Sequence, residues 1–123
     1  MAWALDSDRP LYAQLVERLK LAVLAGRFPP GGRLPSVRDL AAEAGVNPNT
    51  MQRALSALES EGLVTTQRTA GRTVTEDGAL IERCRAALAR ERTCAWREAM
   101  AELGYGPEAL PALLQNEITE GKE

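Results

Sequence analysis

Histidine is absent from this 123-residue chain. That removes the commonest general base at neutral pH and the commonest zinc ligand. Cysteine is scarce: Cys84 and Cys94 are the only two, and two thiolates cannot complete a tetrahedral zinc site. Both fall in one helical pattern, ten residues apart, which is about 15 Å along a helix axis. A disulfide needs Cα atoms within about 7 Å, so an internal bridge is excluded. They are read as small packing residues or as a bridge between two subunits. No metal or other cofactor is expected. No apolar run approaches the roughly 20 residues of a membrane-spanning helix, and no signal peptide is evident. The expected location is cytoplasmic, with no membrane partner. No phosphate-cradling glycine loop or nucleophile–base pair stands out, so an enzyme is not expected.

What the chain does have is an ordinary globular composition, with 45% apolar and 26% charged residues. Its length fits one domain, or a small domain with an appendage. The net charge of −2 does not advertise a nucleic-acid binder. The charge is unevenly placed, however. Residues 1–75 hold nine Lys/Arg against seven Asp/Glu, and residues 76–123 hold six against ten. A basic surface on the first part is therefore compatible with an acidic whole.

Pro10 opens a helical pattern in which Leu11, Leu15, Leu19, Ala22 and Val23 share a side, while Gln14, Glu17, Arg18 and Lys20 occupy the others. Gly26 is a stop signal, and FPPGGRLP follows as a breaker-rich connection. Ser36 precedes VRDLAAEAG, with Asp39 three residues on as in a capping box. Gly45 ends this short helix, which must pack on neighbours to be stable. Asn47 then caps a helix beginning at Pro48, with Met51, Ala54, Leu55 and Leu58 on one stripe and Gly62 as its close. Two helices joined by a tight glycine-containing turn make a helix-turn-helix. LVTTQ and RTVTE around RTAG read as a β-hairpin. The order of elements is that of a winged helix, so the expected fold is α+β and mainly helical. Its winged helix-turn-helix covers residues 1–75, and a helical pair covers 76–123.

In a helix-turn-helix the start of the second helix faces base edges in the major groove. Here that end carries Asn47, Asn49 and Thr50, then Gln52 and Arg53. Asn and Gln can pair with adenine, Arg with guanine, and a Thr methyl can touch thymine. The bland alternative is a capped surface helix whose polar side chains are solvated. Arg38 lies early in the preceding helix and can reach the same groove or a phosphate, or can pair with Asp39 or Glu43. Arg68 and Arg72 flank the hairpin tip, where a wing meets the sugar-phosphate backbone or the minor groove. The alternative there is a solvated turn.

The run LPSVRDLAAEAGVNPNTMQRALSALESEGLV, with LYAQLVERLKLAVLAGRFPPGGRLPS before it, resembles the GntR family of bacterial transcription regulators. The match covers roughly residues 9–75 and includes the turns as well as the apolar pattern. VNPNTMQRAL with so short a C-terminal region resembles the YtrA-like subfamily in particular. The resemblance implies a winged-helix DNA-binding domain and a homodimer on double-stranded DNA with a two-fold operator. It further implies a repressor, with an ABC transporter operon as its target. Implied DNA contacts fall on Ser36 and Arg38 in PSVRDLA, on Asn47, Asn49, Thr50 and Gln52, and on Arg68 and Thr69 in the wing. Two departures stand out. In the wing, RTAGRTV has Thr69 in place of a glycine and Arg72-Thr73 in place of Thr-Phe. Pro48 stands where many relatives outside the subfamily have arginine, which removes a phosphate contact and shifts load to Arg53.

The C-terminal pattern is a long helix over residues 79–103 and a second helix after Pro107. About 40 residues cannot enclose a ligand pocket of a few hundred Å³ by themselves. Leu80, Ile81, Cys84, Leu88, Ala95, Trp96, Met100 and Leu103 are the candidate dimer interface, with Trp96 as its anchor. The alternative is that this stripe folds back on the same chain. A small-molecule effector has no signature in the sequence. The competing functional class is a winged helix used for protein association, without a specific DNA site.

Overall fold

The computed structural model describes residues 3–121. It divides into two compact units between Cys84 and Arg85. In the first unit, helix α1 (Leu11–Leu24) and helix α2 (Val37–Ala44) both pack on helix α3 (Pro48–Ser60). Strand β1 (Val64–Gln67) and strand β2 (Gly71–Val74) follow as an antiparallel hairpin, with Val64 opposite Val74 and Gln67 opposite Gly71. Helix α4 (Gly78–Glu102) comes next. A 3₁₀ turn (Pro107–Ala109) then leads into helix α5 (Leu110–Gly121).

The helix ends form where local chemistry puts them. Ser36 Oγ accepts a hydrogen bond from the Asp39 amide at 3.1 Å. Gly45 closes α2 at φ +72°, a left-handed conformation that glycine adopts without steric cost. Asn47 Oδ1 accepts from the Asn49 amide at 2.8 Å, and Pro48 occupies the first helical position. Asp77 caps α4 by accepting from the Leu80 amide at 3.1 Å.

The core draws on every element of the first unit. Leu15, Leu19 and Val23 come from α1, Leu40 from α2, and Met51, Leu55 and Leu58 from α3. Leu63, Val64 and Val74 seat the hairpin on them. Each large side chain removed from water contributes about 2 kcal/mol of hydrophobic stabilisation. Ile81, near the start of α4, is buried in its own chain, which leaves it little surface for a partner.

Two sequence expectations change here. Gln14, expected on the polar side of α1, is only 3% exposed. Its Oε1 accepts from the Asp6 amide at 2.6 Å, and its Nε2 donates to the Asp6 and Arg9 carbonyls at 2.8 and 3.0 Å. The segment before α1 folds across this residue, and burial is tolerated because both ends of the amide are paired. The breaker-rich connection is also not a plain loop. Arg33 pairs with Thr73 in an antiparallel bridge. The Leu34 amide donates to the Arg72 carbonyl, and the Val74 amide to the Gly32 carbonyl, both at 2.9 Å. That bridge covers the outer edge of β2.

In the second unit none of the described residues is buried. Leu103 is 70% exposed, and Tyr105, Leu114 and Ile118 are exposed as well. Cys84 and Cys94 both lie on α4 as free thiols.

Candidate nucleic-acid interface

The surface around α2, α3 and the hairpin combines caps, free polar groups and cations. Asn47 and Ser36 spend their side-chain oxygens on helix capping. Arg38, Asn49, Gln52 and Arg53 are exposed, and Thr50 is half-buried. The buried stripe of Met51, Ala54, Leu55 and Leu58 turns Asn49, Gln52 and Arg53 outward, as helical spacing requires. Among the described residues, the side chains of Arg38, Asn49 and Gln52 form no hydrogen bond or ion pair. The alternative in which Asp39 or Glu43 holds Arg38 is therefore not seen. Arg38 can donate to a ligand, and Asn49 and Gln52 can both donate and accept, without first breaking an internal bond.

The hairpin turns through Arg68, Thr69 and Ala70. Gly71 follows at φ +73°, with open space where a side chain would stand. Glycine is favoured there by backbone conformation, not by crowding. Arg68 and Thr69 stand exposed at the tip. Arg72 does not stand free there as expected. Its Nε lies 2.6 Å from Glu59 Oε1, and its side chain is 18% exposed. Thr66 Oγ1 donates to the same Glu59 oxygen at 3.0 Å. Glu59, near the end of α3, thus ties both strands of the wing to that helix. An open cleft of about 630 Å³ separates the start of α2 from the wing, with Arg33, Ser36, Gly71 and Arg72 on its walls.

Sequence reasoning overlooked two contributors. Tyr12 lies beneath the Arg53 guanidinium, whose carbon is 4.6 Å from the ring centroid. Glu59 holds Arg72 and Thr66 of the wing against α3. Neither has a local signature, because each meets a partner from another element. The remaining interface candidates lie on α4 and beyond. Leu80, Cys84, Leu88, Trp96 and Met100 are partly exposed, while Ala95 and Leu103 are exposed.

Among known proteins, the family described as bacterial regulatory proteins of the gntR family matches residues 11–74. The HTH-type transcriptional regulator YhcF of Bacillus subtilis is 34% identical over 105 residues, covering 85% of this chain and 87% of YhcF. The HTH-type transcriptional repressor YtrA of the same organism is 41% identical over 71 residues, covering 58% of this chain and 55% of YtrA. A solved GntR family transcriptional regulator from Listeria monocytogenes superposes with a TM-score of 0.84 at 33% identity, covering 91% of this chain and 98% of that one. The family match spans α1 through the wing, the same stretch that carries the exposed polar surface. This chain belongs to the gntR family of bacterial regulatory proteins and is a transcriptional regulator with a helix-turn-helix DNA-binding fold.

Proposed function

We propose that the chain is a homodimeric, sequence-specific repressor that binds a two-fold-symmetric operator in the cytoplasm. One observation carries the DNA-reading part. Asn47 alone satisfies the start of α3, yet Asn49 and Gln52 stand beside it exposed and uncommitted. In this docking, α3 lies in the major groove and Asn49 and Gln52 meet base edges, with adenine their natural partner. Thr50 adds apolar contact. Arg38 reaches the groove or a flanking phosphate from α2. Arg68 and Thr69 follow the backbone into the neighbouring minor groove.

The second unit supports dimerisation. It exposes Leu103, Tyr105, Leu114 and Ile118 and has no buried residue of its own among those described. A helical pair without a core gains stability by burying that surface against another copy. Two reading units related by a two-fold axis then meet half-sites one helical turn apart, or a multiple of it. Repression follows from occupying a promoter and excluding polymerase, and the likeness to a relative named as a repressor supports that sign. The YtrA-like resemblance supports an ABC transporter operon as the regulated unit.

Selection of bound duplexes from a random library tests the proposal. The expected product is an inverted repeat with a fixed half-site spacing. Retention of no duplex, specific or random, at about 50 mM salt defeats it, because phosphate-driven binding is strongest there. That result favours the protein-association reading instead.

A further inference from the structure

Arg53 is the only Lys or Arg within α3. It lies four residues after Asn49, on the same face of the helix and one turn further along. If Asn49 meets base edges, the next turn lies closer to the groove wall, where the phosphates are. The Arg53 side chain is exposed, yet it is not loose: its guanidinium carbon sits 4.6 Å from the centroid of Tyr12, in the first turn of α1. That is within the roughly 6 Å reach of a cation–π contact.

We propose that Tyr12 is a positioning residue that holds Arg53 ready for a DNA phosphate. The contact engages the charge and the ring face and consumes none of the five N–H donors of the guanidinium. Those donors stay available for bidentate bonding to phosphate oxygens. Arg72 is the contrast within the same unit, since its Nε is already committed to Glu59. No carboxylate pairs with Arg53 among the described residues. A freely rotating arginine loses rotamer entropy when it binds, and an arginine resting on an aromatic ring has already lost part of it. The pair also joins the reading helix to α1, so a phosphate held there fixes how deeply α3 enters the groove. Pro48 leaves the start of α3 without a cation, and the Tyr12–Arg53 pair supplies one a turn later from another element.

This inference rests on the DNA-binding reading, and the experiment separates the two. The full-length protein and its variants are titrated with the selected operator between about 50 and 200 mM salt, where the logarithmic slope counts phosphate contacts. Arg53→Ala is expected to lower the slope by about one per subunit. Tyr12→Leu is expected to weaken binding threefold to tenfold in the wild-type background and to add nothing in the Arg53→Ala background. Tyr12→Phe, which keeps the ring face, is expected to restore what Tyr12→Leu loses. An equal effect of Tyr12→Leu in both backgrounds overturns the proposal, as does no effect in either. Arg53→Ala changes an exposed side chain and keeps the test decisive even if Tyr12→Leu fails to fold. An unchanged slope in that variant also overturns the proposal. Failure of the wild-type protein to bind any duplex strikes the DNA-binding reading itself.

Discussion

Arg72 Nε and Glu59 Oε1 lie 2.6 Å apart and lock the wing to the end of α3. The pair is partly exposed, so screening limits its contribution to about 1 kcal/mol. Arg72→Ala should lower stability by about that amount, measured by urea unfolding. It should leave the salt slope of DNA binding unchanged, because the Arg72 charge is already paired with Glu59 through Nε. Arg68→Ala should do the reverse. It should lower the slope by about one per subunit with stability intact. A slope that falls for Arg72→Ala and stays put for Arg68→Ala would show that the wing was assigned the wrong way round.

Asn47 and Asn49 are two residues apart but differ in role. Asn47→Ala removes the cap of α3 and should cost about 1 kcal/mol of stability. Asn49→Ala leaves the fold intact and should lower specific DNA affinity by about 1–3 kcal/mol, as should Arg38→Ala. Thermal unfolding and operator titration on the same samples separate the two effects. If neither Asn49→Ala nor Arg38→Ala changes operator binding, the docking of α3 in the groove is wrong.

Leu55 is 1% exposed in the core beneath α3. Leu55→Ala should destabilise the first unit by about 2–5 kcal/mol through the lost contacts and the cavity left behind. Denaturant midpoints measure this directly.

Gln14→Leu keeps the size of the side chain but leaves the Asp6 amide and the Asp6 and Arg9 carbonyls short of a partner. The expected cost is about 1–3 kcal/mol, with faster proteolysis of the segment before α1. A stability equal to wild type would mean that water replaces the amide without penalty.

Trp96→Ala should weaken self-association, read as a shift toward monomer in sedimentation at low micromolar concentration. Leu103→Asp should do the same, since a carboxylate on a 70% exposed apolar position becomes costly only when a partner covers it. Unchanged sedimentation in both variants would remove α4 and its end from the dimer interface.

The helices of the first unit, the ends of α2 and α3 and the hairpin were legible in the sequence by itself, whereas the Asp77 cap of α4 and the 3₁₀ turn at Pro107 before α5 were not. Ser36, Asn47, Gly45 and Gly62 act through bonds or dihedrals spanning a few residues, and the apolar stripes follow one helical period. The order of those elements was enough to specify a winged helix, and their outward polar positions marked Arg38, Asn49, Gln52 and Arg68. Tertiary structure alone decided the fates of Gln14, Arg33, Arg53 and Arg72. Each meets its partner through folding: Gln14 under the preceding segment, Arg33 against β2, Arg53 on α1 and Arg72 on α3. A polar side chain carries the same residue type whether it faces water, a buried carbonyl, an aromatic ring or a carboxylate. Periodicity reports which side of an element it lies on, and only packing brings the partner.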